Sequence, residues 1–181
     1  MNKKYQKISE EIVHQNPWWI YKHDIYKCQD KNQDYFYGES NGGVAVVPVL
    51  DDGRIIMVRQ YRYLRDRYSI EFVGGGMRAG ETPMQSAARE LKEETGFEST
   101  NFSKLYEFEP CRGILKDTIH VFLANEISHQ ETPDHFEMED IEIIYRRQSE
   151  INQMIRNGEI WDGETLATWT LVRDILNVNK I

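Results

Sequence analysis

The stretch from Gly75 to Phe97, GGMRAGETPMQSAARELKEETGF, constrains this chain more than any other. It specifies a helix at both ends. Thr82 suits a cap, Pro83 the first helical position, and Gln85 stands three residues after the cap. Gly96 suits a helix end. Between them Met84, Ala87, Ala88 and Leu91 recur at helical spacing, which predicts one stripe turned to a core. Glu90, Glu93 and Glu94 share a different face. Like charges at these spacings disfavour a helix by about 0.2–0.5 kcal/mol per pair. They also sit near the C-terminal end, where the helix dipole disfavours anions. A hard divalent cation accounts for such a cluster, because it takes carboxylate oxygens together with waters and phosphates. A solvated face screened by Arg89 and Lys92 is the plainer alternative.

The residues just before the helix favour the cation. Gly74, Gly75 and Gly76 follow a predicted strand, Ile70 to Val73. Consecutive glycines allow close backbone approach and let carbonyls or amides reach an ion or a phosphate. Gly75, Glu81, Arg89, Glu90, Leu91, Glu93, Glu94, Gly96 and Phe97 together resemble the signature box of the Nudix hydrolases. The resemblance implies an α/β fold, the Nudix α/β/α sandwich with a mixed sheet. It also implies Mg²⁺, or alternatively Mn²⁺, and hydrolysis of a nucleoside diphosphate linked to another group. The expected metal ligands are Glu90, Glu93, Glu94 and the backbone carbonyl of Gly74. Gly75, Glu81, Arg89 and Gly96 are expected to be structural, with Arg89 tying the helix to the loop through a box glutamate.

Net charge is −8, which argues against long nucleic acids, whose binding rests on basic surface. A length of 181 residues predicts one domain with a short extra lobe. Cys28 and Cys111 lack metal-ligand spacing and are too few for a disulfide framework, so a cytoplasmic home is expected. No apolar run approaches the roughly 20 residues that span a bilayer, so no membrane association is expected.

Taken in order, residues 1–16 read as the start of a short helix, with Tyr5, Ile8 and Ile12 near helical spacing. Trp18 to Tyr21 and Tyr35 to Tyr37 read as strands around a polar turn. A small sheet so rich in aromatics needs a cover. Residues 1–42 are therefore expected to form an N-terminal β-lobe, either packed on its own chain or, as the resemblance implies more than the residues do, serving as a dimerisation arm, and 43–181 the Nudix domain. The resemblance adds that such lobes in sugar-nucleotide hydrolases cross to a partner subunit and help bind the base.

Val44 to Leu50 reads as a buried strand and, after the turn Asp51-Asp52-Gly53, Arg54 to Arg62 as the next strand, with a basic end. The run Arg59-Gln60-Tyr61-Arg62 resembles the one preceding the box in ADP-ribose pyrophosphatases. Arg62, and after it Arg59, is thereby expected on the diphosphate, to which a guanidinium fork is suited. Glu71 is expected at the mouth of the site. After the box, Phe102 to Phe108, Thr118 to Ala124 and Ile141 to Tyr145 read as strands, and Gln148 to Arg156 and Glu164 to Asn177 as helices. Glu137-Met138-Glu139-Asp140-Ile141 resembles the family segment that delivers a glutamate to the attacking water. Glu139 is the first choice and Glu137 the second.

The substrate so implied is a nucleoside diphosphate sugar such as ADP-ribose, cleaved to a nucleoside monophosphate and a sugar phosphate. GDP-mannose-like substrates stay open, because Pro110 lies nearer the box than the proline that marks ADP-ribose hydrolases. Two other classes are weighed. One is a house-cleaning or RNA 5′-end pyrophosphohydrolase. The other is a non-catalytic sensor, which usually loses box glutamates, and none is missing here.

Overall fold

A computed structural model describes residues 4–129 and 140–178. The chain begins with three strands, β1 (Gln6–Gln15), β2 (Ile20–Cys28) and β3 (Lys31–Glu39). Strands β4 (Gly43–Pro48), β5 (Ile55–Arg62), β6 (Arg67–Glu71) and β7 (Val73–Gly76) lead into helix α1 (Pro83–Thr95). Then come β8 (Phe97–Phe108), β9 (Leu115–Lys116), β10 (Ile119–His129), β11 (Ile141–Arg146), α2 (Gln148–Arg156) and α3 (Gly163–Val178).

The first segment is a strand, not the helix its spacing predicts. β1 pairs antiparallel with β2 from Gln6 opposite Lys27 to Gln15 opposite Ile20, with two register shifts. Cross-strand charge pairs hold it there. The Lys7 ammonium lies 2.7 Å from Asp24, and the Lys22 ammonium 3.3 Å from Glu10. Ile8, Ile12 and Val13 are β-branched, which favours the extended form once a partner strand exists. The side chain of Asn16 turns the chain by accepting from the backbone N–H of Trp18 and Trp19, at 2.9 and 2.8 Å. β3 continues the meander, and β9 joins it in parallel, Gly38 opposite Leu115.

The rest is a layered α/β domain. One sheet has the order β7-β4-β10-β8, in which β4 and β10 are parallel and the outer pairs antiparallel. A second sheet has the order β11-β5-β6. β4 is buried throughout, as a strand covered on both faces must be. Its side chains alternate. Val44 and Val46 pack with Val58, Val73, Ala87, Leu91 and Phe122 beneath α1. Val47 faces the other way, toward Phe72, Ile151, Trp169 and Val172 beneath α2 and α3. This arrangement pins α1 to one face and the C-terminal helices to the other, and sets the box loop on β7, a sheet edge beside α1. Among the described residues no helix is long and apolar enough to cross a membrane.

Candidate active site

Local rules account for α1. The Thr82 hydroxyl accepts from the Gln85 N–H, and the Gln85 side chain accepts from the Thr82 N–H at 2.9 Å, a reciprocal cap. Gly96 closes the helix at φ 68°, a left-handed conformation that a side chain would strain. The buried face differs from the predicted stripe. Ala87 and Leu91 are buried as expected, but Met84 and Ala88 stay exposed, while Ser86, Glu90 and Thr95 go inside. The helix is thus rolled so that glutamates share its inner face.

Arg89 organises that face. Its Nε and Nη2 donate to the two carboxylate oxygens of Glu81, its Nη1 to Glu90 at 2.7 Å and to Glu93 at 2.8 Å, and its Nη2 also to the Gly76 carbonyl. The Glu81 carboxyl is held down at about 2, chiefly by Arg89 and then by the Arg78 N–H, against desolvation. Glu93 is drawn outward, because Arg78 donates to it as well, at 2.9 Å. Sequence reasoning passed over Arg78. Its signal was a second cation inside the box, fifteen residues before the glutamate it meets in space.

Glu94 is the carboxylate with least support. It is only partly exposed, and the one hydrogen bond described for it comes from the Gly74 N–H at 3.2 Å. Desolvation first, and then the charge of Glu90, push its carboxyl up to about 8, against the Gly74 N–H and Arg62. Desolvation also raises Glu90, against its pairing with Arg89. The glycine loop closes over this pair. A Cβ on Gly75 would lie 2.6 Å from a Glu90 oxygen, and one on Gly74 only 2.3 Å from the Val44 carbonyl. Gly74 therefore requires glycine, because a Cβ there meets backbone, whereas a side chain at Gly75 would have to displace the Glu90 carboxylate. Two desolvated carboxylates against exposed backbone suit a hard divalent cation in charge and donor type. Among the described residues, no three acidic, histidine or cysteine side chains already converge as a ligand set.

The strand arginines part company. Arg62 pairs in bidentate fashion with Glu71, its Nε 2.8 Å from one oxygen and its Nη2 on the other. Glu71 is 8% exposed and Arg62 reaches into solvent. Arg59 lies on the opposite face of β5, stacked 3.6 Å over the Tyr68 ring and 3.0 Å from Glu142, so the structure does not bring it to Arg62. A further acid, not anticipated, stands near. Desolvation, then the charges of Asp162, Asp117 and Glu71, push the Glu164 carboxyl up to about 7, with Arg62 opposing. No spacing in the sequence pointed to Glu164, since it starts a helix far from the box. Glu137 and Glu139 lie outside the described residues.

A glycine loop and an inward-facing glutamate helix under an arginine clamp make up the site. Comparison with known proteins narrows the class. The model of the NUDIX domain matches residues 40–168. The chain is 35% identical to the ADP-ribose pyrophosphatase of Bacillus subtilis (strain 168) over 68% of each chain. It is 26% identical to a GDP-mannose pyrophosphatase of Yersinia enterocolitica, over 92% of this chain and 93% of the relative. In fold it resembles a crystal structure of an ADP compounds hydrolase, with a TM-score of 0.85 over 98% of this chain and 97% of the other at 19% identity. The chain belongs to the Nudix family of hydrolases.

Proposed function

We propose that this protein hydrolyses the diphosphate bond of a nucleoside diphosphate sugar, of the ADP-ribose or GDP-mannose kind. Water attacks one phosphorus, the P–O–P bond breaks, and the products are a nucleoside monophosphate and a sugar phosphate. The observation that carries the reading is the desolvated pair Glu90 and Glu94 against the Gly74-Gly75 loop, with the charges of the paired Arg62 and Glu71 bearing on Glu94. The relatives named above support the substrate class.

Glu90, Glu94 and the Gly74 carbonyl, with Glu93 released from Arg78, would hold Mg²⁺ or Mn²⁺. Such an ion supplies Lewis acidity and offsets the charge of the diphosphate. The chain's own groups do the rest. Arg62 presents its free edge to a phosphate oxygen while Glu71 fixes its orientation. Arg89 holds the glutamate side chains in place without meeting the substrate. Glu139, or alternatively Glu137, orients or deprotonates the water.

The lobe of residues 1–42 acts as the arm of a homodimer in this reading. None of its described residues is buried, and Ile8, Ile12, Trp18 and Phe36 are all at least half exposed. An antiparallel sheet with no buried side chain needs something to cover it.

The deciding experiment is a product assay with and without Mg²⁺ on ADP-ribose, GDP-mannose, UDP-glucose, a dinucleoside polyphosphate and a nucleoside triphosphate. Metal-dependent release of a nucleoside monophosphate from a sugar nucleotide is the expected result. Silence on every sugar nucleotide overturns the reading.

A further inference from the structure

We infer that Arg78 is a displaceable counter-ion of the metal site: it gives up Glu93 when a divalent cation binds there and turns to the diphosphate of the substrate. This rests on the metal-dependent reading above and deepens it. Both oxygens of Glu93 are engaged by arginines. Arg89 Nη1 lies 2.8 Å from one oxygen, and Arg78 Nη2 lies 2.9 Å from the other and 3.3 Å from the first. Glu93 can join the ligand set of an ion only if one of them lets go. Arg89 is not the one, because its side chain is largely buried and also serves Glu81, Glu90 and the Gly76 carbonyl. Arg78 is built otherwise. Its side chain is more than half exposed, and among the described residues Glu93 is the one partner of its guanidinium. An exposed pair of this kind is weak.

The root of Arg78 is fixed while its head is not. Its N–H donates to the Glu81 carboxylate at 2.9 Å, and its carbonyl accepts from the Glu81 N–H at 3.1 Å. Glu81 is itself gripped by Arg89. The guanidinium therefore stays tethered beside the glutamate cluster wherever its stem swings. Its charge also reaches Glu90, where it opposes, after Arg89, the desolvation that raises that carboxyl. Like charge makes Arg78 a competitor of any cation at these carboxylates. A diphosphate brings anionic oxygens to the same place, and a guanidinium fork suits them. The same residue thus opposes the metal alone and favours the metal together with its substrate, so the two bind cooperatively.

The test compares the full-length wild type with Arg78→Met and Arg78→Lys, with thermal melts to verify that the variants fold. Mn²⁺ alone is titrated first, the free ion being counted by electron paramagnetic resonance. Arg78→Met is expected to bind Mn²⁺ about threefold or more tightly than wild type, the size of the lost ion pair. Arg78→Lys keeps the charge and should stay near wild type. Imidodiphosphate, whose P–N–P link resists hydrolysis, is then titrated by calorimetry at saturating Mn²⁺. Arg78→Met should bind it about tenfold more weakly, as the loss of a hydrogen bond between charged groups requires. Damage to the loop would instead weaken both ligands. Mn²⁺ binding by Arg78→Met equal to or weaker than wild type, the same tightening in Arg78→Lys, or unchanged imidodiphosphate binding overturns the inference. The two readings fail separately. Hydrolysis of a sugar nucleotide with wild-type Mn²⁺ affinity in Arg78→Met overturns this inference alone, whereas the opposed shifts without hydrolysis of any sugar nucleotide overturn the activity alone.

Discussion

Arg89 grips both carboxylate oxygens of Glu81, at 2.8 and 3.0 Å, from a position eight residues further along, in the second turn of α1. The pair fastens the glycine loop to the helix. The Arg89 side chain is only 14% exposed and also serves Glu90 and Glu93, so its removal leaves several carboxylates without a counter-charge. Arg89→Ala should cost about 3 kcal/mol. For a chain of this length that corresponds to roughly 10 °C in melting temperature. A melt within a degree or two of wild type would remove Arg89 from its central place.

Acid should undo this same pair. The folded Glu81 carboxyl stands at about 2, below the value of about 4.3 for an unfolded chain. Its stabilisation is complete above the unfolded value and is lost as pH falls through the folded one, between about 5 and 2. Urea unfolding of Glu81→Gln should therefore show a smaller loss of stability over that interval than wild type. Parallel curves would contradict the assignment.

Glu94 runs the opposite way. Its carboxyl is raised to about 8 in the folded protein without metal. Its contribution is therefore complete below about pH 4 and lost as pH rises through 8. In the presence of a chelator, Glu94→Gln should match wild type at pH 4 and exceed it increasingly toward pH 9. Mg²⁺ should raise the wild-type melting temperature and leave the variant's unmoved. Turnover of a sugar nucleotide by Glu94→Gln should fall by at least about a hundredfold, more than is typical for groups that merely orient a ligand. A variant with near wild-type rate at saturating Mg²⁺ would exclude Glu94 as a ligand.

Neighbouring glycines separate close approach from mere flexibility. A Cβ at Gly74 would meet the Val44 carbonyl at 2.3 Å, whereas one at Gly76 meets nothing within 4 Å. Gly74→Ala should cost about 1–3 kcal/mol, and Gly76→Ala less than about 0.5 kcal/mol. Chemical denaturation of the two variants side by side checks the ordering.

If the lobe is an arm between subunits, charges placed on its apolar residues should separate them. Ile12→Glu combined with Trp18→Glu should sediment as a monomer at concentrations where the wild type is a dimer. A wild type that is monomeric at tens of micromolar would leave the aromatic lobe without the proposed cover.

Much of the box was legible because its determinants are local. Thr82, Pro83, Gln85 and Gly96 specify the ends of α1 through contacts within a few residues, and the observed helix runs from Pro83 to Thr95. Strand β4 and the first half of β5 announce themselves by apolar runs. What escaped depends on partners distant in sequence. β1 has helical spacing and becomes a strand only because β2 lies beside it. The pairing of Arg62 with Glu71 needs the β5–β6 hairpin to fold back first, in the register that sets Arg62 opposite Arg67. The roll of α1, which carries Glu90 inward and leaves Met84 outside, is set by packing against β4 and β7 and not by the helix itself.

The Glu90 carboxylate occupies the space that a side chain at Gly75 would need, and Arg89 fixes that carboxylate from the other side. The two positions are therefore coupled in space. A change at 75 displaces a carboxylate and disturbs its bond to the arginine, and a change at 90 leaves that arginine one partner short.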